Sequence, residues 1–233
     1  YKWSDDIYRG IKEELIDHNE DKIDLRVEYL DGKNFDHAMS ENLGFFMEKV
    51  WLEKYKDTEF GAIIVSDQLA YNFIQKIRKR LFPNVKIFFS GVEKYDSSDS
   101  LIYGIASSTD IEGNIQLIKK VLPKTRRIWI ICDQSLTGRI NKRKAEIIKS
   151  KIAKQIDLCF FETGQGISER NLISKIKALP SNEPVFFLDF YIDDKNNPIE
   201  VSDFLSKICK ISSAPVFSHV DLYLSYGVTG GKM

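Results

Sequence analysis

The chain has 233 residues, enough for one large domain or two lobes of about 100 residues each. Basic and acidic residues both number 34, and this zero net charge argues against a nucleic-acid binder, which carries a basic excess. No apolar stretch reaches the ~20 residues of a membrane span, and the N-terminal residues lack a signal-peptide pattern, so the chain is cytoplasmic or has lost its targeting segments.

Ser4 is placed to cap a first helix, with Asp5 and Asp6 at its positive end and Ile7, Ile11 and Leu15 on one face. Ile23, Leu25, Val27 and Tyr29 alternate with polar neighbours and predict a strand over 23–30, closed by Asp31-Gly32. Met39, Leu43, Phe46, Met47, Val50 and Trp51 form a helical stripe that predicts a core-facing helix. The run Ala62 to Asp67 is a strand with a capping aspartate, followed by a helix with Ala70, Phe73, Ile74, Ile77 and Leu81 inward. Pro83 stops that helix. A strand over 85–89 ends at Ser90-Gly91-Val92, and a shorter one covers 101–106. Asp110 caps a helix carrying Ile111, Ile115, Ile118 and Leu122, which Pro123 ends.

The pattern then restarts. A strand over 127–132 ends at Asp133, and the segment Gln134 to Gly138 opens a Lys- and Ile-rich helix reaching about Gln155. A strand over 157–161 leads through Gly164-Gln165-Gly166 to a helix capped by Ser168 and bearing Leu172, Ile173, Ile176 and Leu179. A strand over 184–190, a polar loop with Asp193-Asp194, a helix over 201–211 and a strand over 215–218 complete the series. Strands that alternate with helices in this way predict parallel sheets with helices on both faces. The expected fold class is α/β, with two doubly wound parallel-sheet lobes. The boundary falls at 107–110, with a second crossing near 218–227.

Ligands in such sheets bind at the carboxyl ends of the strands. Asp67, Ser90, Asp133, Ser135, Thr137 and Asp189 stand there, several beside a helix start. Free N–H groups with Ser and Thr hydroxyls hold a carboxylate, and neighbouring carboxylates hold an ammonium. Trp3 and Tyr191 supply aromatic cover, and His219 lies at a strand end. Helix capping alone also accounts for any one of these aspartates. Catalysis has no visible owner. The sequence holds no phosphate loop, no dinucleotide fingerprint and no nucleophile elbow, and His18, His37 and His219 lack metal-ligand spacing. Gly164-Gln165-Gly166 fits a flexible turn. The three cysteines, Cys132, Cys159 and Cys209, are odd in number and widely spaced, which suits buried hydrophobes and neither a disulfide framework nor a zinc site. No cofactor is expected.

The runs Phe60 to Asp67, Leu81 to Val85 with Phe89 to Val92, Asp110 to Asn114, Cys132 to Gly138 and Gly227 to Gly231 resemble ABC-transporter substrate-binding-like sensor domains. These have the type I periplasmic binding protein fold and serve as extracytoplasmic input modules of bacterial sensor histidine kinases and related signalling proteins, or as free lipoproteins of transporters. The resemblance covers nearly the whole chain. It implies two lobes joined by a hinge: residues 1–107, with 225–233 returning to them, and residues 108–224. A small polar, amino acid-like ligand would lie between them. Its contacts would be Trp3, Asp67, Ser90, Gly91, Asp133, Ser135, Thr137, Asp189, Tyr191 and His219. In the family a first strand precedes the Tyr1-Lys2-Trp3 stretch and a helix follows Gly231, so the first lobe is expected to be incomplete. The implied partners are the ligand and a kinase or other output domain of a membrane-tethered parent, with room for a homodimer and no nucleic acid. Two alternatives stay open: a free transporter-linked binding protein, and a doubly wound hydrolase using Asp67 and Asp133 as an acid–base pair.

Overall fold

Parallel strands alternate with helices in two units. A computed structural model describes residues 2–17, 23–30, 37–152, 155–161 and 166–232, the side chains of 2–4, 37–43 and 136 excepted. Tyr1–Leu30 and Asn42–Ser108 group as one unit, Asp31–Glu41 and Thr109–Met233 as the other. Among the described residues no helix is long and apolar enough to cross a membrane.

In the first unit α1 (Lys2–Lys12) runs into a π-helical turn (Glu13–Asp17). The helix begins before Ser4, so Ser4 sits inside it and does not cap it. Then come α2 (His37–Lys54), of which the part from Asn42 onward groups with this unit, β1 (Ala62–Ser66), α3 (Gln68–Leu81), β2 (Lys86–Val92) and β3 (Ile102–Ala106). The sheet is wholly parallel in the order β1-β2-β3. Period-two alternation sends Val65, Ile87 and Phe89 to one face, where Trp51, Tyr55, Phe73, Ile74 and Ile77 cover them. The other face carries Ile64, Phe88, Tyr103 and Ile105, which are 41%, 39%, 47% and 76% exposed. Ile64 pairs with Phe88, and Phe88 with Tyr103. Among the described residues this sheet is therefore covered on one side, where cover on both was expected.

Three further expectations change in this unit. Residues 23–30 alternate as a strand should but join no ladder, and Ile23, Val27 and Tyr29 stay exposed. Alternation makes a strand only when a neighbouring edge offers hydrogen bonds. The α2 stripe divides, because a single wall receives it. Met47 and Trp51 pack inward beside the buried Glu48, which pairs with Lys76 and Arg80, while Phe46 and Val50 face outward. Met39 and Leu43 lie outside the described side chains. β2 also runs on through Ser90 to Val92, with the ladder register shifting between Ser90 and Val92 around Gly91, whose φ of 71° suits a β-bulge.

The second unit holds α4 (Ile111–Val121), β4 (Arg127–Ile131), α5 (Leu136–Ile152), β5 (Asp157–Phe160), α6 (Glu169–Lys177), β6 (Val185–Phe187), α7 (Val201–Ile211), β7 (Val216–Ser218) and a 3-10 turn (Asp221–Tyr226). Its four strands are parallel in the order β5-β4-β6-β7. Both faces are covered. Ile128, Ile130, Phe186 and Phe217 pack with Ile111, Ile115 and Ile118 of α4 and Ala145 of α5. The alternate residues Ile131, Val185, Phe187 and Val216 pack with α6 and α7 through Leu172, Ile176, Phe204, Leu205 and Ile208. Expected caps are in place: Asp110 accepts from Gly113 N–H at 2.8 Å, and Ser168 from Asn171 N–H at 3.3 Å. The turn residues Asp31-Gly32 and Gly164-Gln165, and His18, lie outside the described residues.

The segment expected to cross back to the first lobe stays with the second unit. Gly230 bridges Phe217, Ser218 N–H donates to the Gly230 carbonyl, and the 3-10 turn packs on α7 through Tyr223. Gly231 lies so close to the Ser218 carbonyl that a Cβ there would be 1.6 Å away. Asn114, fully buried in α4, donates to the Lys232 carbonyl at 3.0 Å and accepts from its N–H at 2.7 Å. The Lys232 ammonium meets Asp110 and, with the Gly113 N–H, holds that carboxyl below the usual carboxylate range. A lowered pKa means the contribution is present above the ordinary carboxylate value and is lost as pH falls through the lowered one. The Lys232 amide, corrected for intrinsic exchange, should therefore lose protection on acidification. Asp110→Asn should lower that protection at pH 7 and abolish its dependence on pH.

Candidate functional site

In the first unit the carboxyl ends of β1 and β2 meet through one backbone bond, Asp67 N–H to the Ser90 carbonyl at 3.0 Å. Asp67 has φ 82° and ψ 154°, a conformation essentially reserved for glycine. Its carboxylate accepts from Gln68 N–H at 2.6 Å and so caps α3. Gln68 fixes the opposite loop. Its Oε1 accepts from Glu93 N–H at 3.0 Å and Lys94 N–H at 2.9 Å, and its Nε2 donates to the Lys94 carbonyl at 2.9 Å. Ser66 and Ser90 face each other in register. The Ser66 hydroxyl is buried and has no hydrogen-bond partner among the described residues. A buried hydroxyl without a partner calls for a polar occupant nearby. Asp67, Ser90 and Gly91 are thus brought together as expected, whereas Ser66 and Gln68 were missed. Ser66 reads as the last residue of an apolar run, and Gln68 carries no local signal for a reach of 25 residues.

The strand order of the second unit reverses at β4. The chain passes from β4 to β5 on one side, then to β6 and β7 on the other. The crevice beyond β4 and β6 is where a doubly wound sheet accepts a ligand. Here Asp133 fills it. One oxygen accepts from the Ser135 hydroxyl at 2.5 Å and Ser135 N–H at 3.0 Å. The other accepts from Tyr191 N–H and, at 3.1 Å, from Ile192 N–H. Asp133 is 2% exposed. Burial pushes its carboxyl up, and the Ser135 hydroxyl and the three N–H groups pull it back in part. Asp133 therefore ties the β4 loop to the β6 loop and does not reach a ligand in this arrangement. The same geometry removes it as partner of Asp67 in an acid–base pair. A Cβ at Gly138 would lie 2.2 Å from its oxygen, so only glycine fits there.

The neighbouring residues are committed in similar ways. Ser135 is buried and accepts from Gly138 N–H at 3.1 Å, capping α5. Asp189 is buried and accepts from Asn141 Nδ2 of α5 at 2.8 Å. Asn141, buried on an otherwise apolar helix face, was missed. Tyr191 packs against the α6–α7 core instead of covering a ligand, and burial, then Tyr223 and Asp189, pushes its hydroxyl well up. Thr137 sits half-buried in the first turn of α5. His219 is half-buried just beyond β7. Trp3 lies in α1 and His37 in α2, both outside the described side chains. Thr137 and His219 thus stand beyond the carboxyl ends of β4 and β7, each half-buried.

Other features lie elsewhere. A cavity of about 190 Å³ lined by Cys209, Ser212, Ser213, Pro215 and Thr229 opens at the amino end of β7, away from the strand carboxyl ends. Burial pushes the Cys209 thiol up to about 11. Among the described residues no group of His, Cys, Asp or Glu could hold a metal.

No protein-family model and no curated protein matches the sequence. Solved structures share the fold. A conserved domain protein from Vibrio cholerae O1 biovar eltor aligns over 80% of this chain and 61% of its own length, at 13% identity and a TM-score of 0.52. This chain thus spans less than two thirds of that protein. An ABC domain from Streptococcus pneumonia, solved in complex with L-Trp, aligns over 97% of this chain and 72% of its own, at 15% identity and a TM-score of 0.59. Likeness at such identity establishes the fold alone: α/β, with parallel sheets flanked by helices.

Two stability measurements check these assignments. Asp67→Gly relieves the backbone, so it should be more stable to denaturant than Asp67→Ala by about 1–3 kcal/mol. Asp133→Asn replaces an acceptor by a donor facing the N–H groups of Tyr191 and Ile192. It should cost about 1–3 kcal/mol for each buried N–H left unpaired. Equal stability of wild type and Asp133→Asn would remove Asp133 as the tie between the loops.

Proposed function

We propose that this chain is the ligand-binding part of an extracytoplasmic sensor. It holds a small polar, amino acid-like molecule with the strand-end groups of its two units, and closure upon that guest is the signal. One observation carries the reading: each unit ends its parallel strands in polar loops fixed in advance, by Gln68 in the first and Asp133 in the second. Preformed polar groups bind without ordering costs at the moment of contact. The Ser66 hydroxyl, the strained Asp67 and the Thr137 hydroxyl are the contacts we assign. Fold likeness to a domain solved with L-Trp supports an amino acid as the first class to try.

Signalling to a kinase or other output domain of a membrane-tethered parent follows from the same reading. Closure shifts a two-state equilibrium by the difference in ligand affinity between the open and closed forms. A free transporter-linked binding protein would use the same contacts, without an output domain. The hydrolase alternative loses its acid–base pair once Asp133 is occupied by four protein donors.

Thermal unfolding against the proteinogenic L-amino acids, tryptophan included, is the test. At least one should raise the midpoint saturably, as ligand at 100-fold over Kd adds about 2.7 kcal/mol. Thr137→Val should weaken that ligand about tenfold, the size of one lost polar contact of about 1.4 kcal/mol. In the full-length protein the same ligand should alter kinase output, with the dose response displaced by Thr137→Val. No stabilisation by any amino acid, or stabilisation indifferent to Thr137 and Ser66 substitutions, would overturn the proposal.

A further inference from the structure

The charge of this chain is balanced overall but not locally. α5 carries Arg139, Lys142, Arg143, Lys144, Lys149 and Lys151 against the single acidic Glu146. α4, packed beside it on the same face of the sheet, ends in Lys119 and Lys120, and Lys124 and Arg126 follow. Of these, Lys120, Lys124, Arg126, Arg143 and Lys151 pair with no carboxylate among the described residues. Asp157, at the start of β5, is already taken by Arg127 and Lys149. In a chain with 34 acids for 34 bases, this is a concentrated field and not a general excess.

The same surface is also partly apolar. Ile140 and Ile147 are 37% and 52% exposed, and Val121 at the end of α4 is 55% exposed. Ile140 and Ile147 are seven residues apart, two helical turns, and Arg143 and Lys151 continue the same line at i+3 and i+4 spacing. A helix face that only meets water gains nothing from exposed isoleucines. A nucleic-acid surface would use the charges and leave the isoleucines idle. A bilayer surface uses both: acyl-chain boundaries accept the branched side chains, while long basic side chains reach anionic headgroups.

We propose that the outer face of α5, with the end of α4, rests on an anionic phospholipid surface. The site is distinct from the strand ends, and the inference does not depend on the ligand proposal.

Co-sedimentation of the whole chain with vesicles tests it. Binding should occur to phosphatidylcholine vesicles containing about 30% phosphatidylglycerol and not to phosphatidylcholine alone, and it should weaken with added salt. Arg143→Glu with Lys151→Glu should reduce affinity at least about tenfold. Ile140→Ser with Ile147→Ser should reduce it several-fold without changing the salt dependence. All four positions are outward-facing, so thermal midpoints should match wild type. Absence of binding to the phosphatidylglycerol-containing vesicles, equal binding to both kinds, or an unaffected double charge reversal would overturn the proposal. So would retention of duplex DNA without retention of vesicles, which would assign the face to nucleic acid. Failure here leaves amino-acid stabilisation untouched, and the converse holds.

Discussion

One buried carboxylate organises the second unit. Asp133 stands at the point where the strand order reverses, and its two oxygens gather the N–H groups of three residues and one hydroxyl. Burying a charge is unfavourable unless every acceptor site finds a donor. Because those donors come from two loops, the requirement fixes both loops. Ser135 is then oriented to cap α5, Gly138 is forced to lack a side chain, and Asp189 is left for Asn141. The first unit meets the same need with a neutral side chain: Gln68 receives two N–H groups of the loop after β2 and donates to one of its carbonyls.

This division of labour separates residues that build the strand ends from residues that can meet a guest. Asp133, Ser135 and Asp189 belong to the first kind, because they are buried and already paired within the unit. Ser66 and Thr137 belong to the second. Asp67 belongs to both, as a cap held in a backbone conformation that its side chain does not favour. Strain of this kind persists where surrounding structure enforces it, and it clusters where proteins bind or react.

Much of the architecture could be read from the sequence. Short apolar runs, several ending in Asp or Ser, and the 3.6-period segments between most of them located the strands of the two sheets and their intervening helices. The caps Asp110 and Ser168 declared themselves by residue type and spacing. The failures share a cause. Residues 23–30 and the α2 stripe were judged by periodicity, which states what a segment could bury but not whether a partner is present to bury it. The site was legible in place but not in role. Strand-end aspartates were visible, but that Asp133 faces the N–H groups of residues 58 and 59 positions away depends on tertiary approach. Gln68 and Asn141 act through the same long-range contacts and leave no local trace.

The central claim is that the polar strand ends are a binding surface. An amide chemical-shift titration with the proteinogenic L-amino acids addresses it residue by residue. The account predicts saturable shifts concentrated at Ser66 to Gln68, Ser90-Gly91 and Ser135 to Gly138. Shifts confined to the Cys209–Ser213 cavity, or none with any amino acid, would contradict it.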